Sequence, residues 1–158
     1  MKDHHPVTIG QSMKGRVISI CEDARVIDAV RLFLENHIGT LPVVDSQMKL
    51  VGLVTMETIL SLVMPDFVHL MDRFSFVHDM GAVETRTPDE SDLRRCISEI
   101  MTAPVFVEEG DSLLYAAASK RNHGLRDIPV VDAQRHLVGI ASHVDIGSAL
   151  MRSWKLEP

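Results

Sequence analysis

The hydrophobic and polar positions in the first half of this chain follow an order that predicts five elements. An apolar stretch, V-I-S-I at 17–20, predicts a first strand. Apolar residues then recur at spacings of three and four from residue 26, which predicts a helix with one buried stripe. A strand that begins at Pro42, a polar turn and a strand from Leu50 to Val54 predict a hairpin, after which Thr55 is expected to be the N-cap of a second helix. The predicted stripe consists of Val26, Ala29, Val30, Phe33, Leu34 and His37.

The same order returns 87 residues later without a gap around the hairpin. I-P-V-V-D at 128–132 matches L-P-V-V-D at 41–45, and L-V-G-I-A-S at 137–142 matches L-V-G-L-V-T at 50–55. P-V-F-V at 104–107 matches the first strand. An internal repeat of this kind predicts two copies of one unit, each ordered strand, helix, strand, strand, helix. The second helix stripe is predicted at Leu113, Leu114, Ala117 and Ala118, and the second N-cap at Ser142.

A copy of about 55 residues would leave one side of its sheet uncovered, and domains of that size are marginal alone. We therefore expect an α+β fold in which the two copies pack sheet to sheet with pseudo-twofold symmetry. Clefts are expected between the halves. The copies are assigned to residues 12–62 and 99–152, and a helical insert to residues 63–98.

The insert is long for a connection within a compact domain. Residues 66–80 carry many apolar residues, with Asp66, Asp72 and Asp79 as the polar faces of an amphipathic segment. T-P-D-E at 87–90 predicts a helix capped by Thr87. Leu93, Ile97 and Ile100 would continue an apolar stripe from that start. Because this surface needs a partner, we expect a homodimer, with a regulated partner protein as a further possibility.

Composition excludes several classes of function. A net charge of −6 and a pI near 5.7 argue against nucleic acid and anionic membranes as partners. The sequence has no apolar run long enough for a membrane span and no secretory signal, and its cysteines, Cys21 and Cys96, suit reduced thiols, so we expect a cytoplasmic protein. The histidines do not have the spacing of a metal site. The sequence also has no nucleophile beside a base and no phosphate-binding glycine loop, so we do not expect an enzyme.

One heptapeptide carries candidate chemistry, G-I-A-S-H-V-D at 139–145. Gly139 would allow a ligand close to the backbone. Ser142 would lie at a helix start, where free N–H groups and the helix dipole favour phosphate, and Asp145 could accept both hydroxyls of a ribose. The alternative is an ordinary capping box, which needs no ligand, because Ser-x-x-Asp is also that pattern.

Copy one keeps Gly52 and Thr55 but has Thr58 in place of the aspartate. A threonine cannot accept a pair of ribose hydroxyls as an anion can. The repeat therefore predicts one intact cleft, which uses Asp145, and one degenerate cleft.

The ordered set of M-T-A-P-V-F-V at 101–107, I-P-V-V-D at 128–132 and L-V-G-I-A-S-H-V-D at 137–145 resembles the CBS (cystathionine β-synthase) domain pair, or Bateman module. Such pairs bind adenosine nucleotides or related adenosyl ligands and regulate attached or partner proteins. The resemblance implies a non-catalytic module without a required cofactor, whose ligand is AMP, ADP or ATP, or alternatively S-adenosylmethionine or NAD. The insert departs from the family pattern. The alternative is a dimeric interaction scaffold with vestigial ligand clefts, which uses the helical insert as its partner surface.

The resemblance also implies how each cleft is built, because in the family the aspartate of one copy works with the first strand and the pre-proline segment of the other. Lys14, Arg16 and His143 are then the candidate partners of a phosphate. The set predicted for the intact cleft is Lys14, Arg16, Val17, Ile18, Ser19, Ile20, His37, Gly39, Thr40, Leu41, Pro42, Gly139, Ser142, His143 and Asp145. The degenerate cleft would use Thr55, Thr58, Val105, Ile128 and Pro129, with Arg126 and Asp127 able to pair with one another.

Overall fold

The computed structural model describes residues 7–64 and 87–154, which form two three-stranded sheets with helices. In each half, the first strand pairs parallel with the second and the second pairs antiparallel with the third. The predicted α+β fold with two strand-helix-strand-strand-helix copies is therefore confirmed. The strands are β1 (Ile20–Cys21), β2 (Thr40–Val44), β3 (Leu50–Thr55), β4 (Val107–Glu108), β5 (Asp127–Val131) and β6 (Leu137–Ser142). The helices are α1 (Val26–Asn36), α2 (Met56–Ser61), α3 (Glu90–Arg94), α4 (Leu113–Asn122) and α5 (His143–Ser153), with 3-10 helices at Ile9–Gln11 and Ile97–Glu99.

The aspartate of each P-V-V-D motif holds the hairpin turn. Asp45 Oδ1 accepts the backbone N–H of Gln47 at 2.8 Å and that of Lys49 at 3.0 Å. Asp132 Oδ1 accepts the two equivalent N–H groups in the second hairpin. Aspartate is favoured in such turns because its side chain can replace a backbone acceptor. The repeated motif is thus a folding signal for both hairpins.

The two copies exchange the short segments that precede their first strands. The 3-10 helix that contains Ile9 packs into the core of the second half, and the one that contains Ile97 packs into the core of the first, where each isoleucine is fully buried. Lys14 N–H donates to Ile140 O at 2.9 Å and Ile140 N–H donates back at 3.0 Å. Thr102 pairs with Leu53 in the same way in the first half. Each sheet is therefore extended by a segment from the other copy.

This exchange explains why the first strands are shorter than predicted. Residues 17–19 and 104–106 were expected to be β-strand, but only Ile20–Cys21 and Val107–Glu108 pair with their own sheets. The chain leaves one sheet at Lys14 or Thr102 and has to reach the other before it can pair again. The copy limits at 12–62 and 99–152 and the insert at 63–98 stay predictions, and the apolar segment predicted between 66 and 80 lies outside the described residues.

The buried faces of the first helices are narrower than the sequence suggested. On α1, Val26, Ala29 and Phe33 are buried, whereas Leu34 is 68% exposed. His37 lies beyond the end of α1, is exposed and has a left-handed φ of 52°. Each helix packs one face on its own core, so a second apolar column remains at the surface. In α4 the predicted stripe is wrong at Leu114, which is 71% exposed, and at Ala118.

Two local assignments also differ from the prediction. Pro42 is the third residue of β2 rather than the first, and β1 pairs with β2 only from Val43 onward, so no β1 residue faces Pro42. Helix α3 begins at Glu90 with Asp89 as N-cap, and not with a Thr87 cap. It ends at Arg94, so its stripe does not continue as one helix to Ile100.

The halves meet through a third cluster of apolar residues and through their hairpins. Leu50, Leu53 and Val131 are buried there together with partly buried residues from both copies. Leu50 N–H donates to Arg135 O at 3.0 Å, and the equivalent Leu137 N–H donates to Met48 O at 3.1 Å. These reciprocal bonds join the two copies about a pseudo-twofold axis. Within residues 7–64 and 87–154, no helix has the length and apolar character needed to cross a bilayer.

Two repeated glycines allow the exchanged segments to approach the sheets. A Cβ atom at Gly139 would lie 2.8 Å from Met13 Cγ and 3.2 Å from Lys14 O. A Cβ atom at Gly52 would lie 3.0 Å from both Met101 Cγ and the backbone oxygen of Thr102. The sequence suggested that Gly139 leaves room for a ligand, but in the structure that room is filled by Met13.

We predict that Gly139→Ala lowers the free energy of unfolding by about 1–3 kcal/mol, because the added methyl group overlaps the Met13 side chain. Gly147→Ala is the matched control, since no atom lies within 4 Å of its Cβ position in α5 and alanine favours a helix over glycine by about 0.5–1 kcal/mol. Urea denaturation measures both changes. Equal stability of the two variants would contradict the role given to Gly139.

Candidate functional site

A cavity of about 150 Å³ lies between the halves at the start of α5. Both copies and one exchanged segment contribute to its walls. Isoleucines supply the apolar part, and charged or hydroxyl side chains supply the polar part. The lining residues are Lys14, Arg16, Ile18, Ile38, Thr40, Asp127, Ile140, Ser142 and Asp145.

The fold brings the polar residues of this cavity together by three separate means. Ser142 ends β6 and caps α5, which places Asp145 one turn into the helix. Asp127 begins β5 and is the direct cross-strand partner of Ser142. Lys14 arrives from the first copy, because its backbone pairs with Ile140 on β6. We name this cavity, with its nine lining residues, the Asp145 cleft.

Asp145 and Ser142 form a complete capping box in the Asp145 cleft. Asp145 Oδ2 accepts the backbone N–H of Ser142 at 2.8 Å and its hydroxyl at 2.7 Å, and Ser142 Oγ accepts the Asp145 N–H at 3.1 Å. Lys14 Nζ lies 3.9 Å from the same Oδ2. Among the described residues, Oδ1 has no hydrogen-bond partner. The capping and ligand interpretations of Ser-x-x-Asp are thus compatible, because capping uses one carboxylate oxygen only.

Asp127 is a second carboxylate in the Asp145 cleft, and it is half-buried. Burial raises its pKa, and the nearby Asp145 raises it further, whereas Lys120, Lys14 and His143 lower it. Its side chain makes no hydrogen bond or ion pair with any residue in 7–64 or 87–154. Asp127 is therefore a carboxylate available to a ligand.

Arg126 and Asp127 do not form the pair that the sequence suggested. Arg126 precedes β5 and lines a different cavity, where its Cδ would lie 3.0 Å from a Cβ atom at Gly39. Gly39 therefore allows the Arg126 side chain to lie across it. Arg126 and Asp127, although adjacent in sequence, thus line two separate cavities.

The second cavity, which we name the Thr55 cleft, has a volume of about 550 Å³. Thr55 caps α2, and its hydroxyl lies 3.1 Å from that of Thr58. Thr58 N–H donates to Thr55 Oγ1 at 3.2 Å, so this is a neutral version of the capping box. Its lining residues are Gly39, Thr40, Thr55, Met56, Glu57, Thr58, Ser61, Ile100, Thr102, His123, Gly124, Leu125 and Arg126.

The pseudo-symmetry relates the two clefts residue by residue and shows a systematic change of chemistry. Asp145 corresponds to Thr58 and Asp127 to Thr40, because each pair holds the same place in its hairpin and helix. Lys14 corresponds to Thr102 in the exchanged segments. Each of these three charged residues of the Asp145 cleft is thus a threonine in the other copy.

The Asp145 cleft, which has the charged residues suited to a ligand, is the smaller of the two clefts. Small-molecule sites have volumes of about 300–1,000 Å³, a range that includes the Thr55 cleft but not the Asp145 cleft. The volume of the Asp145 cleft can increase, because the Lys14 side chain, which lies beside Asp145, is 68% exposed and can swing outward. Its contact with Asp145 is a partly exposed ion pair, and such pairs contribute little stability.

The structure brings together six of the residues that the sequence proposed for the Asp145 cleft. They are Lys14, Arg16, Ile18, Thr40, Ser142 and Asp145. The other proposed residues lie outside its lining for identifiable reasons. Ile20, Leu41 and Pro42 are buried in the first sheet, Gly139 lies under Met13, Gly39 lines the Thr55 cleft, His37 and His143 are exposed, and Val17 and Ser19 are half-buried outside the lining.

In the Thr55 cleft, Thr55 and Thr58 line the cavity, but Val105, Ile128 and Pro129 do not. Ile128 and Pro129 are buried in β5, and Val105 packs among apolar residues. The sequence interpretation missed Asp127 in the Asp145 cleft. The predicted hairpin could have indicated it, because the pairing of β5 with β6 places Asp127 opposite Ser142.

Comparisons with known proteins agree with this architecture. The family model described as CBS domain matches residues 8–65 and 97–152. CBSX2 of Arabidopsis thaliana in complex with AMP superposes with a TM-score of 0.69 at 26% identity, covering 94% of this chain and 98% of that one. The uncharacterized protein MJ1426 of Methanocaldococcus jannaschii is 28% identical over 145 residues, covering 85% of this chain and 86% of its own length. Homoserine O-acetyltransferase of Methanocorpusculum labreanum is 29% identical over 136 residues, but only 22% of its length is covered.

We predict that Asp127→Asn raises the free energy of unfolding at neutral pH and that the gain disappears in acid. Folding raises the pKa of this carboxyl above its ordinary value of 3.8, so the stability it contributes is complete below that pH and is lost as pH rises through the folded-state pKa. Asparagine has no such dependence. Urea titrations of both proteins between about pH 3.5 and pH 7 measure the difference. A difference that does not change with pH would contradict the prediction.

Proposed function

The chain belongs to the CBS domain family, and from this we propose that it is a non-catalytic regulatory module whose Asp145 cleft binds an adenosyl ligand. The observation that carries the proposal is the convergence of Lys14 and Arg16 from one copy with Ser142 and Asp145 from the other around one cavity. A ligand held there contacts both halves at once. Its candidates are AMP, ADP and ATP, or alternatively S-adenosylmethionine or NAD.

The ribose and the adenine of such a ligand each have a partner in the Asp145 cleft. The free Oδ1 of Asp145 accepts the ribose hydroxyls, while Oδ2 stays in the capping box. Ile18, Ile38 and Ile140 form apolar walls for the adenine ring. The cleft opens to the size of a nucleoside by outward movement of the exposed Lys14 side chain, which breaks its 3.9 Å contact with Asp145.

We propose that the ligand contacts come from the side chains of the Asp145 cleft without a required metal or cofactor. Cys21 and Cys96 are free thiols. The ligand acts by changing the relation of the two halves, which a second copy or a regulated partner protein detects.

Homodimer formation is supported by apolar side chains exposed on helices. Helices α4 and α5 pack against each other and expose Leu114, Tyr115, Val144 and Met151. On α1, Leu34 is exposed in the same way. Exposed apolar surface of this kind is typical of protein interfaces.

The alternative function is a dimeric interaction scaffold whose clefts are vestigial. The completeness of the Ser142–Asp145 capping box favours this alternative, because the box gives Asp145 a structural role without any ligand. The two functions differ in what the loss of Asp145 does to ligand-dependent stability.

We predict that at least one of AMP, ADP, ATP, S-adenosylmethionine and NAD raises the melting temperature of the purified chain. A ligand at one hundred times its Kd stabilises the folded state by about 2.7 kcal/mol, which is about 5–10 °C for a chain of this size. Asp145→Ala is expected to abolish that shift. A scaffold would show no shift with any of the five compounds.

The control for lost capping energy is Asp28→Ala. Asp28 Oδ2 accepts the backbone N–H of Arg25 at 3.1 Å at the start of α1, so it holds the same capping position away from both clefts. Both alanine variants are expected to lose about 0.5–2 kcal/mol of stability in the free protein. Only Asp145→Ala should lose the ligand-dependent shift, and a shift retained in Asp145→Ala would exclude Asp145 as a ligand residue.

We also predict that Leu114→Asp weakens a homodimer by at least about tenfold, because a charge in an apolar interface has to be desolvated. Sedimentation velocity over a range of protein concentrations measures the effect. Met48→Asp is the control, since Met48 is also exposed but lies in a hairpin turn with a φ of 63°, which aspartate tolerates. A wild-type chain that sediments as a monomer at all concentrations would overturn the dimer proposal.

A further inference from the structure

We propose that Asp127 makes the Asp145 cleft select adenosyl ligands whose 5′ substituent is neutral or positively charged, such as a thioether or a sulfonium, over nucleotides with a 5′ phosphate. This inference rests on the proposed function and narrows it to a class of ligand. It depends on where Asp127 lies, on its lack of a partner and on the balance of charge in the cavity.

The position of Asp127 puts its carboxylate close to any ligand that Asp145 holds. Both side chains line the same cavity of about 150 Å³ at the start of α5, where Ser142 is the cap, so the 5′ substituent of a ribose bound to Asp145 would share this small space with Asp127. Asp127 is the cross-strand partner of Ser142. Directly opposed side chains on paired strands lie about 5 Å apart, so the Asp127 carboxylate borders this part of the cleft.

The cations of the cleft do not compensate Asp127. Lys14 is engaged with Asp145 at 3.9 Å, and within the described chain no cation lies within ion-pair distance of Asp127. The cavity holds two cations and two carboxylates, but Asp145 is the carboxylate that has a cation within ion-pair distance. A 5′ phosphate would therefore add negative charge beside an unpaired, half-buried anion, whereas a sulfonium would supply the missing cation.

The start of α5 is also less favourable to an anion than a free helix end. The backbone N–H of Ser142 already donates to Asp145 Oδ2, and the Asp145 N–H donates to Ser142 Oγ. Both donors are thus occupied by the protein itself. The phosphate site that the sequence suggested at this helix start therefore has fewer N–H donors to offer and is bordered by a second carboxylate.

The pair of 5′-methylthioadenosine and AMP tests the proposal directly, because the two compounds differ only in the 5′ substituent. Isothermal titration calorimetry of the full chain at neutral pH, with S-adenosylmethionine and ATP added to the series, gives the dissociation constants. We expect the wild-type chain to bind 5′-methylthioadenosine and S-adenosylmethionine at least about tenfold more tightly than AMP.

Asp127→Asn is expected to reduce this preference at least about tenfold, by tighter binding of AMP and weaker binding of S-adenosylmethionine. Glu57→Gln is the matched control, because it removes one carboxylate from the Thr55 cleft and changes the net charge equally. It should leave the preference unchanged. If Asp127→Asn does not fold, Asp127→Thr gives the side chain that Thr40 supplies at the equivalent position of the first hairpin.

Three results would overturn the proposal while leaving the proposed function intact. They are tighter binding of AMP by the wild-type chain, an unchanged preference in the Asp127 variant, and an equal change in the Glu57 variant. If neither the wild-type chain nor the variants bind any of the four compounds, the proposed function fails together with this inference.

Discussion

The exchange of short segments between the two copies is the interaction on which the rest of this structure depends. Ile9 and Ile97 each complete the core of the opposite half, and the backbone of Lys14 extends the sheet that carries Ile140. The exchange fixes how the halves face each other, since neither core is closed without the other copy. It also determines the chemistry between them, because it is the reason a lysine from the first copy stands beside Asp145 in the second.

The two clefts show how a duplicated unit can keep its fold while its sites diverge. Both capping boxes are intact, so helices α2 and α5 begin in the same way whether the partner of the cap is Thr58 or Asp145. The cost of replacing a charged residue by threonine is small here, because the hydroxyl still satisfies the helix N-terminus. What changes is the electrostatic character of the space between the halves. Folding requirements therefore do not by themselves keep the carboxylates in the Asp145 cleft.

The sequence predicted the order of the elements in each copy and the helix caps at Thr55 and Ser142 well, because periodicity and repeated motifs are local signals. It predicted the cleft less well. Gly139 was interpreted through a ligand, but a side chain distant in sequence, Met13, occupies the space beside it. Leu34 satisfied the helical spacing and is nevertheless exposed, since the sheet covers only one face of α1. The sequence suggested that Asp127 pairs with its neighbour Arg126, but in the tertiary structure the two residues line different cavities.

The same segment exchange has a consequence for the way the chain is made. The Ile9 segment is synthesised well before the strands and helices that bury it, from β4 to α5. The core of the first copy is likewise incomplete until Ile97 has been synthesised. Contacts of such long sequence separation are slow to form, and the unburied apolar surface can associate with other chains in the meantime. Nascent chains of this architecture therefore spend most of their synthesis incompletely folded, and they are exposed to chaperones and proteases until the second copy arrives.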